Sequence, residues 1–178
     1  MKLKPSLLSA AVFAAFAIAS LGAGAVTLKI GNQGDALSLD PHSLNESLQL
    51  TVLENVFEAL VTRDRNYKLT PGLATSWKQT SPTVWHFDLR KGVQFHDGTP
   101  FTADDVIFSY ERAKGDGSDM KSYVGQIKEI KKINDHSIDF ITTTPFPILP
   151  EVFYRWFIMS KKWCETNQAT KPVDRRKG

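Results

Sequence analysis

The chain has 178 residues, 42% of them hydrophobic, with 22 basic and 19 acidic side chains and a formal net charge of +3. So small an imbalance argues against an electrostatic nucleic-acid binder, and the one dense basic run, Arg175-Arg176-Lys177, reads as a solvated tail. The single cysteine, Cys164, excludes a disulfide-stapled exported domain, which needs an even and larger set. Cys164 is either a buried small hydrophobe or the partner of a cysteine outside the chain. A reactive thiol ranks last, because no histidine stands near it in sequence to activate it.

Lys2 and Lys4 open the chain, an uncharged apolar run follows from Leu7 to Leu21, and Ala23-Gly24-Ala25 closes it. Positive head, apolar core and small-residue exit in that order read as a secretory signal cleaved after Ala25. The run is at the short edge of a membrane span and rich in alanine, which favours a signal over an anchor. No cysteine stands at the exit, so the lipoprotein route is closed. Removing residues 1–25 takes two lysines and no acid, leaving a chain within one charge of neutral and long enough for one compact domain.

Val26–Ile30 alternates as a strand, Gly31–Asp35 breaks it, and Ser38-Leu39-Asp40-Pro41-His42 reads as a turn. From Ser47 to Leu60 the apolar residues Leu48, Val52, Leu53, Val56, Phe57 and Leu60 recur at three and four, predicting an amphipathic helix. Pro71-Gly72 is a break. Val84–Arg90 predicts a strand with Trp85, Phe87 and Leu89 on one face and His86 and Asp88 on the other; Val93–Phe95 follows as a short partner strand, then a tight turn at Asp97-Gly98. Thr102 caps a helix with Asp104 and Asp105 in its first turn and Val106, Ile107 and Tyr110 inward; the Gly115-Asp116-Gly117-Ser118 stretch ends it. Ile127–Ile133 and Ser137–Thr142 form a hairpin around Asn134-Asp135. Thr144–Pro150 holds three prolines and reads as an extended connector, followed by an apolar aromatic stretch, Val152–Met159, and a short helix from Lys161. Residues 169–178 are polar and aperiodic. The fold class is mixed α and β with antiparallel hairpins.

Catalytic signatures are missing. His42, His86, His96 and His136 lack metal-ligand spacing, and Ser76 and Ser109 lack a nucleophile-elbow frame. Asp104 and Asp105 point about 100° apart on a helix, so they do not form one carboxylate pair. There is no phosphate-binding glycine motif.

The stretch Leu73-Ala74-Thr75-Ser76-Trp77, then Trp85 through Val106 (WHFDLRKGVQFHDGTPFTADDV), closing in Ser109-Tyr110-Glu111-Arg112, is distinctive. Together with Ser38-Leu39-Asp40-Pro41, Phe57-Glu58-Ala59-Leu60 and the Pro-rich exit of the 127–142 hairpin, it resembles the extracytoplasmic solute-binding proteins of family 5, from about Val26 to Lys162. The resemblance implies the N-terminal lobe of a two-lobed, type II periplasmic binding protein of the three-domain peptide-binding class. It also implies residues 1–25 as signal, 26–168 as a partial family domain and 169–178 as a polar tail. The job implied is capture of peptides in the periplasm for an inner-membrane ABC permease, as a monomer without catalysis, cofactor, metal or nucleic acid. Oligopeptide, dipeptide, nickel complex and other small solutes all stay open as ligand.

The loop after Ser-Leu-Asp-Pro matches the family's cleft-facing loop, which points to Asn45, Glu46 and Ser47 as ligand contacts; helix capping is an equal reading, since Asn and Ser are strong caps. Tyr123 matches a second contact, against the reading as a surface or core-edge aromatic, which ranks ahead of it. Family members are much longer, so the resemblance implies a fragment that is impaired and prone to aggregate. A stand-alone chaperone-like binder and, last, a secreted hydrolase are the rival functions.

Overall fold

The computed structural model describes residues 27, 29, 31 and 34–173. The signal segment, most of the Val26–Ile30 strand and the Arg175–Lys177 run lie outside the described residues. Every element belongs to the unit that begins at Gly34.

Alternation builds the sheet. Strand β3 is Ala74–Ser81 and β4 is Val84–Leu89. Strands β5 (Ile127–Asn134) and β6 (Ser137–Thr142) form the predicted hairpin, and Asn134 Oδ1 accepts the His136 N–H at 2.8 Å in its turn. The order is β3-β4-β6-β5, antiparallel throughout. Register sets Trp77 opposite Phe87, Phe87 opposite Ile138 and Trp85 opposite Phe140, so the aromatic residues share one face. Lys128, Lys131 and Lys132 blunt edge strand β5 against pairing with other chains. A separate ribbon pairs β1 (Val61–Arg63) with β2 (Leu69–Pro71).

Helix α2 (Ala103–Lys114) starts with a full capping box: Asp105 Oδ2 accepts the Thr102 N–H at 2.9 Å and Thr102 Oγ1 accepts from Asp104. It buries Val106, Tyr110 and Ala113, while Ile107 is only half-buried, and Tyr110 Oη donates to the Ile127 carbonyl at 3.0 Å. The aromatic stretch from Val152 fills the core: Phe153 lies 4.8 Å from Phe140 and 5.1 Å from Trp156, centroid to centroid. Burying such rings supplies several kcal/mol, about 1.5–3 kcal/mol per large side chain.

Four expectations change. Helix α1 is only Ser47–Leu53, not Ser47–Leu60. Asn55 Nδ2 donates to the Thr51 and Val52 carbonyls, and Ala59 bridges to Phe157, so tertiary pairing takes over from helical periodicity. Val93–Phe95 is no strand: Gln94 bridges to Pro100, closing a turn in which Gly98 takes φ +79°, the left-handed region glycine enters freely. The proline connector ends in a short helix, α4 (Leu149–Val152), where Pro150 sits in the first turn and its missing N–H costs nothing. Trp85 Nε1 ties the connector down through the Phe146 carbonyl at 3.0 Å. Finally, the first residues of the polar tail are not loose: Ala169, Lys171 and Val173 are hydrogen-bonded to Arg112 and Asp40. Helices α3 (Lys121–Val124) and α5 (Lys161–Thr166) complete the unit.

Candidate ligand-contacting loop

The loop of residues 38–47 is held by one buried ion pair. Arg112 Nη1 and Nη2 donate to the two oxygens of Asp40 at 2.8 Å each, a bidentate fork. Arg112 Nε also reaches the Ala169 carbonyl at 3.0 Å and Nη2 the Lys171 carbonyl at 3.0 Å. Asp40 accepts the backbone N–H of His42 at 2.9 Å and of Val173 at 2.8 Å. Burial works to raise the Asp40 carboxyl, but the Arg112 hydrogen bond and charge and these two N–H groups outweigh it and hold it below the usual range.

His42 is fully buried, and burial followed by the Arg112 charge pushes its pKa down to about 4, so it is neutral. Its Nε2 carries the proton, because the Phe157 carbonyl 3.0 Å away can only accept. The His42 carbonyl in turn accepts the Asp119 N–H at 3.1 Å, which docks the segment leading into α3.

That docking brings together two of the residues picked from sequence. Tyr123, on α3, points its hydroxyl at Asn45 Oδ1 across 3.4 Å, although 78 positions separate them in the chain. Asn45, Glu46 and Ser47 are all exposed. The cap of α1 is neither Asn45 nor Ser47 but Glu46, whose carboxylate accepts the N–H of Leu48 at 2.9 Å and of Gln49 at 3.0 Å. Those two bonds lower its pKa. Ser47 is the first helical residue, and its carbonyl accepts from Thr51 Oγ1. Tyr123 is half-buried; burial first, then the neighbouring Tyr154, raises its pKa against an opposing pull from Arg155. Tyr154 and Arg155 were not singled out in the sequence, where both sit inside the apolar aromatic stretch Val152–Met159.

Folding also assembles a Ser-His-Asp chain that spacing along the sequence hides. Ser137 Oγ lies 3.2 Å from His86 Nε2, and His86 Nδ1 lies 2.6 Å from Asp139 Oδ1. The same Nε2 faces a second carboxylate, Asp88 Oδ1, at 3.5 Å, and Ser76 Oγ donates to Asp88 Oδ2 at 2.7 Å. A carboxylate beside the serine is the reverse of what an oxyanion needs. These five residues form a polar ladder across β3, β4 and β6 on the face opposite the aromatic core. Asp105 spends its carboxylate on the capping box and on the Lys161 N–H at 2.9 Å, tying α5 to α2. Cys164 is buried, and burial pushes its thiol up to about 11, far from thiolate reactivity. Among the described residues no cluster of three His, Cys, Asp or Glu is arranged for a metal, and no helix is long and apolar enough to cross a membrane.

This sheet, its capping helix and the clamped loop define the class: the fold is that of the type II periplasmic binding proteins. The chain superposes on Haemophilus influenzae OppA in complex with RPPGFSPFR with a TM-score of 0.70 at 25% identity, covering 74% of this chain and 30% of that one. It superposes on Campylobacter jejuni NikZ in complex with Ni(L-His) with a TM-score of 0.69 at 27% identity, covering 78% and 28%. The chain belongs to the bacterial extracellular solute-binding proteins, family 5, whose middle region matches residues 68–176. It is 31% identical over 140 residues to the periplasmic oligopeptide-binding protein OppA of Escherichia coli, which is 68% of this chain and 26% of that protein. The chain thus spans between a quarter and a third of the length of these relatives.

Proposed function

We propose that this chain carries a ligand-contacting face of the substrate-binding component of an ABC importer, and that its ligand is a peptide handed to an inner-membrane permease. The signal reading, with cleavage after Ala25, supplies the route to the periplasm, and residues 26–168 form a partial family domain. The observation that supports the reading most is the meeting of Asn45 and Tyr123 on an exposed surface beside a residue, Glu46, with extended backbone (φ −131°, ψ 134°). An exposed residue with extended backbone can offer a peptide a main-chain contact, with neighbouring polar side chains fixing its position. Glu46 then contributes through its backbone N–H, because its carboxylate is committed to the α1 cap and its carbonyl accepts the Leu50 N–H at 2.9 Å. The chain acts without catalysis: the Ser-His-Asp chain found among the described residues has the Asp88 carboxylate beside its histidine, 3.5 Å from Nε2.

The test is titration calorimetry of the purified chain with RPPGFSPFR and with tri-alanine. Asn45→Ala and Tyr123→Phe should each weaken binding about fivefold, the value of one hydrogen bond of about 1 kcal/mol. Unchanged affinity in both variants would remove this face from the ligand site.

A further inference from the structure

The β1–β2 ribbon turns through Asp64, whose Oδ1 accepts the N–H groups of Asn66 and Lys68, and its last turn residue is Tyr67 with φ 61°. Glycine is the usual occupant of that left-handed position, and a bulky side chain takes it at a cost. The Tyr67 ring gains no packing in return, since the residue is 78% exposed. A strained, exposed aromatic is what a contact surface holds and what a merely structural turn discards.

Tyr67 stands at the rim of a cleft of about 720 Å³. Phe57 and Phe157 line it, 6.2 Å apart, with Tyr154 flanked by two guanidinium groups, Arg63 at 4.8 Å and Arg155 at 5.4 Å from its ring centre. Arg63 has both Nη groups engaged, on Glu151 at 2.6 Å and the Tyr67 carbonyl at 2.7 Å. The other two cations do not. Arg155 uses Nε on Glu54 at 3.0 Å, and Arg90 uses Nε and Nη2 on the Gly72 carbonyl at 3.0 and 2.8 Å. Among the described residues, both Nη groups of Arg155 and Nη1 of Arg90 make no hydrogen bond. Glu58, also lining the cleft, has no ion-pair partner among the described residues. Unspent guanidinium donors over an aromatic floor suit a planar carboxylate, and an unspent carboxylate suits an ammonium group.

We infer that this cleft is a second ligand site on the lobe, one that takes the free α-carboxylate of a small zwitterion, with Arg155 and Arg90 as its cationic contacts and Tyr67 as its aromatic cover. The inference rests on the peptide reading only for the choice of ligand to titrate. Tri-alanine, tri-alanine amide and N-acetyl-tri-alanine are titrated into the purified chain by calorimetry, with a thermal melt of every variant. Loss of the carboxylate in the amide should weaken binding at least tenfold, as should Arg155→Gln and Arg90→Gln singly, while the acetylated peptide loses less. Tyr67→Gly should raise the melting temperature and weaken binding severalfold, so one variant tests the site with the fold strengthened. Equal binding of amide and free peptide, unaltered binding in both arginine variants, or no binding at millimolar tri-alanine overturns the inference. If Asn45→Ala and Tyr123→Phe reduce binding while the cleft variants do not, the cleft assignment fails and the proposed function stands. The reverse pattern supports the cleft and moves the ligand away from Asn45.

Discussion

Replacing Arg112 with leucine removes four hydrogen bonds at once: two to Asp40 and one each to the Ala169 and Lys171 carbonyls. The Asp40 carboxylate keeps only the N–H groups of His42 and Val173. Both charged side chains are nearly out of solvent, 2% and 9% exposed, so solvent screening does little to soften the change. Breaking one side of such a buried pair costs about 3–5 kcal/mol, a large part of a domain's total stability. At roughly 3 °C per kcal/mol for a chain of this size, the melting temperature should fall by about 9–15 °C. The pH dependence identifies the cause. With Arg112 present the Asp40 pKa is lowered, so its contribution is present above the unfolded value near 3.8 and is lost as pH falls through the folded value. Without Arg112 only the two N–H groups oppose burial, so the folded pKa should rise and acid should relieve part of the penalty. Circular-dichroism melts of the wild type, Arg112→Leu, Asp40→Asn and the double variant, at neutral and mildly acidic pH, measure both. A melt of Arg112→Leu within 2 °C of wild type, or strictly additive single variants, would refute the reasoning, since paired groups must couple.

Stability should also fall as pH drops from about 6.5 towards 4, because the unfolded chain protonates His42 and the folded one does not. The loss is about 2 kcal/mol at pH 5, and urea denaturation of His42→Gln should show that part of the slope removed. Thr102→Ala should cost about 1 kcal/mol by deleting one half of the capping box, read as a fall in urea midpoint. Gly72→Ala should cost about 1–3 kcal/mol, because its Cβ would stand 2.5 Å from the Ala59 carbonyl oxygen, and a melt unchanged from wild type would count against the close approach of those segments.

How far the sequence could be read depended on whether an element's cause is local. The cap at Thr102, the hairpin at Asn134-Asp135 and the alternation of Trp85, Phe87 and Leu89 are set by near neighbours, and all three were legible. Strand β3 was not, since it is an edge strand whose residues are mostly exposed or half-buried and whose pairing comes from β4. The overlong reading of α1 has a related origin. Val56, Phe57 and Leu60 fit a helical period, but Ala59 pairs with Phe157, and Phe57 and Leu60 reach the core from a turn instead. For the candidate site, Asn45, Glu46, Ser47 and Tyr123 came from family resemblance, and their proximity required the fold. No pattern in the sequence distinguishes Arg155, whose Nη groups make no hydrogen bond among the described residues, from Arg63, whose Nη groups both do; that difference exists only once Glu54, Glu151 and Tyr67 are placed around them.

The motifs that identify the family and the atoms that would meet a ligand are different sets, joined by the Asp40–Arg112 pair. Ser38-Leu39-Asp40-Pro41 and Ser109-Tyr110-Glu111-Arg112, far apart in sequence, are the two halves of that pair. Its buried atoms fix where His42 lies, and the His42 carbonyl fixes Asp119 and hence the start of α3. Tyr123 then falls beside Asn45. A charge pair out of solvent tolerates little change on either side, so it makes a dependable signature. Asn45, Ser47 and Tyr123 carry none of that pair's bonds, so changes there should leave the clamp intact. This is why a signature of this kind names a scaffold so readily and leaves the choice of ligand to residues that no motif contains.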